Sequence, residues 1–193
     1  MVSVAVLGLG NIIMQDDGVG AKALDELERR YRLPESVRLI RSDAPMARLA
    51  AELEGVGRLI VVDAVRGGRP PGSVYRVERA QLVAAGRRAG SSHGMGLADL
   101  LDLLEALGRC PDVRIIGVET GGVETGGVEA GSVEAGKADD AGSERSGMPS
   151  DELSSELSGP VAAALPRAAE AVADELRRLG VVVEEREAAR HHA

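Results

Sequence analysis

The feature that most constrains the fold lies at the start of the chain, where residues 2–7 form a nearly unbroken apolar run ending in Gly8-Leu9-Gly10-Asn11. Such a run has no polar face to offer water, so it reads as a strand buried on both sides that enters a tight turn. Strands of this kind are central and parallel, and each needs a crossover before the next. From Asp17 the pattern switches to helical spacing, with Val19, Ala23, Leu27 and Tyr31 on one stripe and Asp16 and Asp17 beside the positive helix start. A strand over 37–40, a helix over 46–53 and a strand over 58–63 (RLIVVD) complete a βαβαβ order. The expected fold is a three-layer α/β/α sandwich around a mixed, mostly parallel twisted sheet.

The second half of the chain continues the scheme. Pro70-Pro71-Gly72 forces a turn, and 73–78 then alternates as an edge strand does, an antiparallel one included. Apolar residues at 97, 100, 101, 103, 104 and 107 predict an amphipathic helix starting just after Ser91-Ser92-His93-Gly94, and 113–117 is a further strand. Val161, Leu165, Ala169, Val172, Leu176 and Leu179 form the stripe of a terminal helix that Pro166 either kinks or begins.

Between these parts, residues 117–136 repeat with a period of five (GVETG, GVETG, GVEAG, SVEAG) and run on into a Ser/Gly/Asp/Glu stretch. Residues 117–156 hold ten acidic groups against Lys137 and Arg145, which accounts for the whole net charge of −8. Low hydrophobicity, high charge and many glycines predict a disordered acidic loop over 121–150. Four five-residue copies are too short for a solenoid, whose repeats run to about 20 residues or more. Glutamates could also buffer a hard cation, but this backbone does not organise them to converge.

At 193 residues the chain suits one domain, 1–193. Outside the acidic loop it is nearly neutral, and it has two tyrosines, no Phe and no Trp, so neither a basic face nor a stacking platform for nucleic acid is expected. No stretch approaches 18 apolar residues and no secretory pattern precedes the first strand, so no membrane span is expected. Cys110 is the lone cysteine, which fits a reducing, cytoplasmic setting.

Two arrangements could carry chemistry. Gly8-Leu9-Gly10 after a strand invites a dinucleotide-binding reading, but Ile13 stands where a third small residue is needed and Arg41 where an acid should close the next strand. The stronger candidate is a constellation of Asp16 and Asp17 after the first strand's turn, Asp63 at the end of the third strand and His93 on a later loop, since loops at the carboxyl ends of strands converge on one crevice in open α/β sheets. Two carboxylates and an imidazole suit a borderline divalent ion such as nickel or zinc. Each also has a plain structural role open to it: Asp17 as helix cap, Asp63 as turn residue, His93 as partner of a backbone group. Asp16 is expected to point elsewhere, and Gly10 and Asn11 to support the turn through positive φ. No Ser-His-Asp or Cys-His arrangement is legible, the His-Glu-x-x-His helix of metallopeptidases is absent, and His191-His192 reads as a frayed tail.

The stretches VLGLGNIIMQDDGVGAKALDEL, LIVVDAVRGGRPPGSVYRVE and SSHGMGLADLLDLLEALGRCPDVRIIGVE resemble, in order and spacing, the maturation endopeptidases of nickel-iron hydrogenases. The likeness covers 2–119 and resumes at 156–172. It implies that Asp17, Asp63 and His93 are the metal-binding residues of the active site. It also implies that the nickel belongs to the substrate, a nickel-loaded large-subunit precursor whose C-terminal peptide is cut off, and that the enzyme has no dedicated cofactor. A non-catalytic nickel-binding or chaperone protein using the same residues is the alternative. Two departures stand out: Arg41-Ser42-Asp43-Ala44-Pro45 replaces a Gly-rich turn after the second strand, and the acidic repeat exceeds the family's usual loop.

Overall fold

The computed structural model describes residues 3–10, 15–42, 46–77, 97–120 and 156–186. The elements are β1 (Ser3–Leu9), a 3₁₀ turn (Gln15–Gly18), α1 (Val19–Arg30), β2 (Tyr31–Arg32), β3 (Val37–Ser42), α2 (Met46–Glu52), β4 (Val56–Val65) and β5 (Val74–Val77). They continue with α3 (Leu97–Ala106), β6 (Asp112–Glu119), α4 (Gly159–Ala162), α5 (Leu165–Arg178) and β7 (Glu184–Glu185). The expected 121–150 loop, His93 and Asn11 lie outside the described residues.

The main sheet has the order β3-β1-β4-β6-β5. β3, β1, β4 and β6 run parallel, and β5 closes the edge antiparallel to β6. Alternation sorts the side chains of the inner strands into two cores. Val4, Val6, Ile60, Val62, Ile116 and Val118 pack under α1 and α5 with Leu24, Leu27, Val172 and Leu176. Ala5, Leu7, Leu59, Val61 and Ile115 pack on the other face against Leu49 and Leu53 of α2 or its end and Leu100, Leu101 and Leu104 of α3. Because β1 and β4 are covered on both sides, their sequences show no polar alternation.

Three differences from the sequence pattern have physical causes. β4 does not close at Asp63, since Ala64 and Val65 remain paired with Val118 and Glu119 of β6. Tyr31 follows α1 rather than ending it, yet at 4% exposure it still completes the helix's apolar stripe. It also opens an unexpected two-stranded ribbon, Tyr31↔Glu185 and Arg32↔Glu184, tied by Arg186 N–H donating to the Arg30 carbonyl at 2.7 Å. Pro166 lies in the first turn of α5, where its missing N–H costs nothing, so it begins the helix's main segment. No helix among the described residues is long and apolar enough to cross a membrane.

Candidate active site

The chain leaves β1 for β3 on one side and then returns to β4 on the other, so the strand order reverses between β1 and β4. The crevice outside their carboxyl ends is where ligands bind in open α/β sheets. Two glycine contacts build it. A Cβ on Gly8 would lie 2.5 Å from the Gly20 carbonyl oxygen, so α1 can approach β1 backbone to backbone only because both are bare. Gly10 has φ +111°, and a Cβ there would overlap the Asp17 carbonyl. Gly10, just past the end of β1, therefore lies directly against the Asp17 backbone.

The 3₁₀ turn carries the two acids. Gln15 enters it at φ +40°, a conformation costing a non-glycine residue on the order of 1 kcal/mol that persists only where the surroundings hold it. Asp17 and Asp63 then meet across the crevice closely enough to feel each other's charge. Asp63 keeps part of its residue surface accessible, but its carboxyl is enclosed, and its pKa is raised from 3.8 to about 7. Loss of hydration is the largest cause and the Asp17 carboxylate the second, while a hydrogen bond with the Ala64 backbone opposes them. A carboxyl poised near neutrality beside a second carboxylate suits either proton transfer or capture of a cation.

Of the three residues read from sequence, the structure brings Asp17 and Asp63 together, and His93 lies outside the described residues. Among the described residues no group of three His, Cys, Asp or Glu side chains could hold a metal ion. Asp16 does point elsewhere: its Oδ1 accepts the Ser158 N–H at 2.7 Å and its Oδ2 the Ser158 hydroxyl at 2.8 Å. Cys110 sits before β6, at the opposite end of the sheet.

Glu119 was counted with the solvated acidic repeat, but it closes β6 and is 3% exposed. Its carboxylate accepts the N–H groups of Gly67 and Gly68 at 2.9 and 3.0 Å and the Tyr75 hydroxyl at 2.7 Å. Burial and this bond push the Tyr75 hydroxyl up to about 12. Glu119 thus fixes the loop that leaves β4 just beyond Asp63. A window centred on its GVETG repeat carries no signal for this, because Glu124 and Glu129 stand in nearly the same local sequence.

Fold and crevice define an α/β protein with an acidic site at the topological switch point of its main sheet. Comparison with known proteins narrows this. The model of one family, HycI: Hydrogenase maturation protease, matches residues 21–132. The chain is 35% identical over 109 residues to the hydrogenase expression/formation protein HupD of Bradyrhizobium diazoefficiens, covering 56% of this chain and 57% of that one. It is 30% identical over 117 residues to the hydrogenase 2 maturation protease of Escherichia coli K12, covering 60% and 71%. The match thus spans little more than half the length of the first relative. The solved hydrogenase maturating endopeptidase HybD of Escherichia coli superposes with a TM-score of 0.70 at 26% identity, over 96% of this chain and 98% of that one. The chain belongs to the hydrogenase maturation protease family.

Proposed function

We propose that this protein is an endopeptidase that removes the C-terminal peptide of a nickel-loaded hydrogenase large-subunit precursor in the cytoplasm. The observation that carries the reading is the facing pair Asp17 and Asp63 at the switch point of a chain in this family. Ionised, the pair supplies hard oxygen donors, and neutral His93 is the nitrogen donor that the sequence adds to them. The cation they would receive is the precursor's own nickel, so the ion is part of the substrate and the enzyme requires no resident cofactor. A divalent charge entering the crevice offsets the mutual repulsion of the two carboxylates and draws the proton from Asp63. Docking is then conditional on the metal.

The test is to incubate the protein with nickel-loaded and nickel-free precursor and follow the precursor mass. Loss of a C-terminal peptide from the loaded form alone is expected. Tight binding of the loaded form with no mass loss would instead favour a chaperone that uses the same three residues.

A further inference from the structure

The contact between Asp16 and Ser158 spans 142 positions and ties the turn bearing Asp17 to the start of the C-terminal helices. We propose that Asp16 is a positioning residue, whose double hydrogen bond to Ser158 aims Asp17 into the crevice. The inference rests on the functional reading above, in that Asp17 is taken as a ligand of the precursor's nickel.

The geometry of the turn carries the argument. A 3₁₀ turn places successive side chains about 120° apart, so anchoring Asp16 to Ser158 fixes the rotation of the turn and with it the direction of Asp17. Gln15, immediately before, is held at φ +40°, a conformation the chain would leave if nothing held the turn. On the far side, Ser158 is itself fixed. It precedes α4, whose Ala162 N–H donates to the Ser158 carbonyl at 2.8 Å, and Val161 is fully buried in the core under α1. Arg167 on α5 donates to the Gly72 carbonyl at 2.5 Å, and Gly72 N–H donates to the Glu119 carbonyl at 2.8 Å. The anchor for Asp16 therefore belongs to the same framework that holds the loop after Asp63. Ser158 makes no cap bond from its own side chain, and its hydroxyl donates to Asp16 instead. Ser158 is exposed and Asp16 half-buried, and a hydrogen bond so near the surface adds little to global stability, so losing it should show in the site and not in unfolding.

The experiment compares Asp16→Ala, Asp16→Asn, Asp17→Asn and the Asp16→Ala/Asp17→Asn double variant by melting temperature, binding of nickel-loaded precursor, and cleavage. Partners that orient metal-ligating groups typically matter by about 10- to 100-fold, so Asp16→Ala should bind and cleave at least about tenfold less well. Its melting temperature should stay within about 2 °C of wild type. Asp16→Asn keeps an oxygen for the Ser158 N–H and should recover most of the loss. In the Asp17→Asn background, Asp16→Ala should weaken binding no further. Equal losses from Asp16→Ala with and without Asp17, or activity lost only in step with melting, would overturn the proposal. Wild-type protein that leaves loaded precursor uncut would overturn the functional reading instead, and normal binding by Asp17→Asn would remove Asp17 from the nickel site.

Discussion

Asp63→Asn should make the protein more stable at neutral pH while abolishing processing. The native carboxyl has a pKa of about 7 against an ordinary 3.8, so between these values the folded chain holds a proton that the unfolded chain has lost. Stability changes with pH in proportion to protons bound by the unfolded minus the native state, which is negative here. The contribution of Asp63 is therefore fully present below about pH 4, falls through the window 4 to 7, and is absent above it. A shift of about three units at 1.36 kcal/mol each gives a cost on the order of 4 kcal/mol at pH 8. Asparagine keeps the shape and an acceptor for the Ala64 contact but never ionises. Urea unfolding of both proteins from pH 4 to 8 isolates Asp63 together with its coupling to Asp17, since groups not coupled to Asp63 cancel in the difference. The curves should nearly coincide at pH 4 and diverge to a few kcal/mol in favour of the variant by pH 8, about 10 °C in melting temperature. A variant less stable than wild type at pH 8, or a difference that does not change with pH, would refute the account of Asp63 as a desolvated, charge-opposed group. An acid kept at such expense has the profile of a functional residue, because evolution could remove the cost with one substitution.

Gly10→Val should lower stability by at least about 2–4 kcal/mol in urea titration and remove activity with it, because φ is +111° there and the Asp17 carbonyl occupies the Cβ position. Glu119→Ala leaves two backbone N–H groups and the Tyr75 hydroxyl without their acceptor and should cost about 3–5 kcal/mol, whereas Glu119→Gln should cost about 1–2; thermal melts separate them. Replacing 121–150 by a short Gly/Ser linker should shift the melting temperature by no more than a few degrees, since loop closure changes by only about 0.6 kcal/mol per doubling of length. His93→Ala should leave folding intact and stop processing of loaded precursor, and wild-type processing should fall as pH drops below about 6–7, where Asp63 and the imidazole take up protons; cleavage rates across pH 5–8 check both.

The sheet was legible because β1, β4 and β6 are buried on both faces and so read as apolar runs, while α1, α3 and α5 bury one stripe each. The meeting of Asp17 with Asp63 was legible through topology, since carboxyl-end loops converge wherever a parallel sheet reverses its order. Contacts that depend on one pair of distant residues were not. Nothing near Asp16 distinguishes it from Asp17 as a helix-start acid, and its partner Ser158 lies beyond a polar stretch in which serines recur at 143, 146, 150, 154 and 155. Glu119 was hidden for a related reason: the repeat copies its neighbourhood, and only pairing with Val65 distinguishes the last strand residue from the first repeat unit. A two-residue ribbon such as β2–β7 is shorter than any period and leaves no pattern to find.

The electrostatics of the crevice also explain how such a site could test a partner before acting on it. Without a cation, Asp17 opposes ionisation of Asp63, whose own carboxyl is poorly hydrated. A nickel-free precursor that offers thiolates would bring like charge to like charge, and desolvating that arrangement is unfavourable however well the surfaces fit. If the precursor's nickel is received here, as proposed, the sign reverses: the ion would compensate the carboxylates and draw the proton from Asp63. Discrimination then comes from the repulsive arm as much as from the attractive one. On this reading Asp63→Asn, which relieves the stability cost, also removes one of the two carboxylates that the loaded precursor would meet, so the variant should gain stability and lose selectivity together.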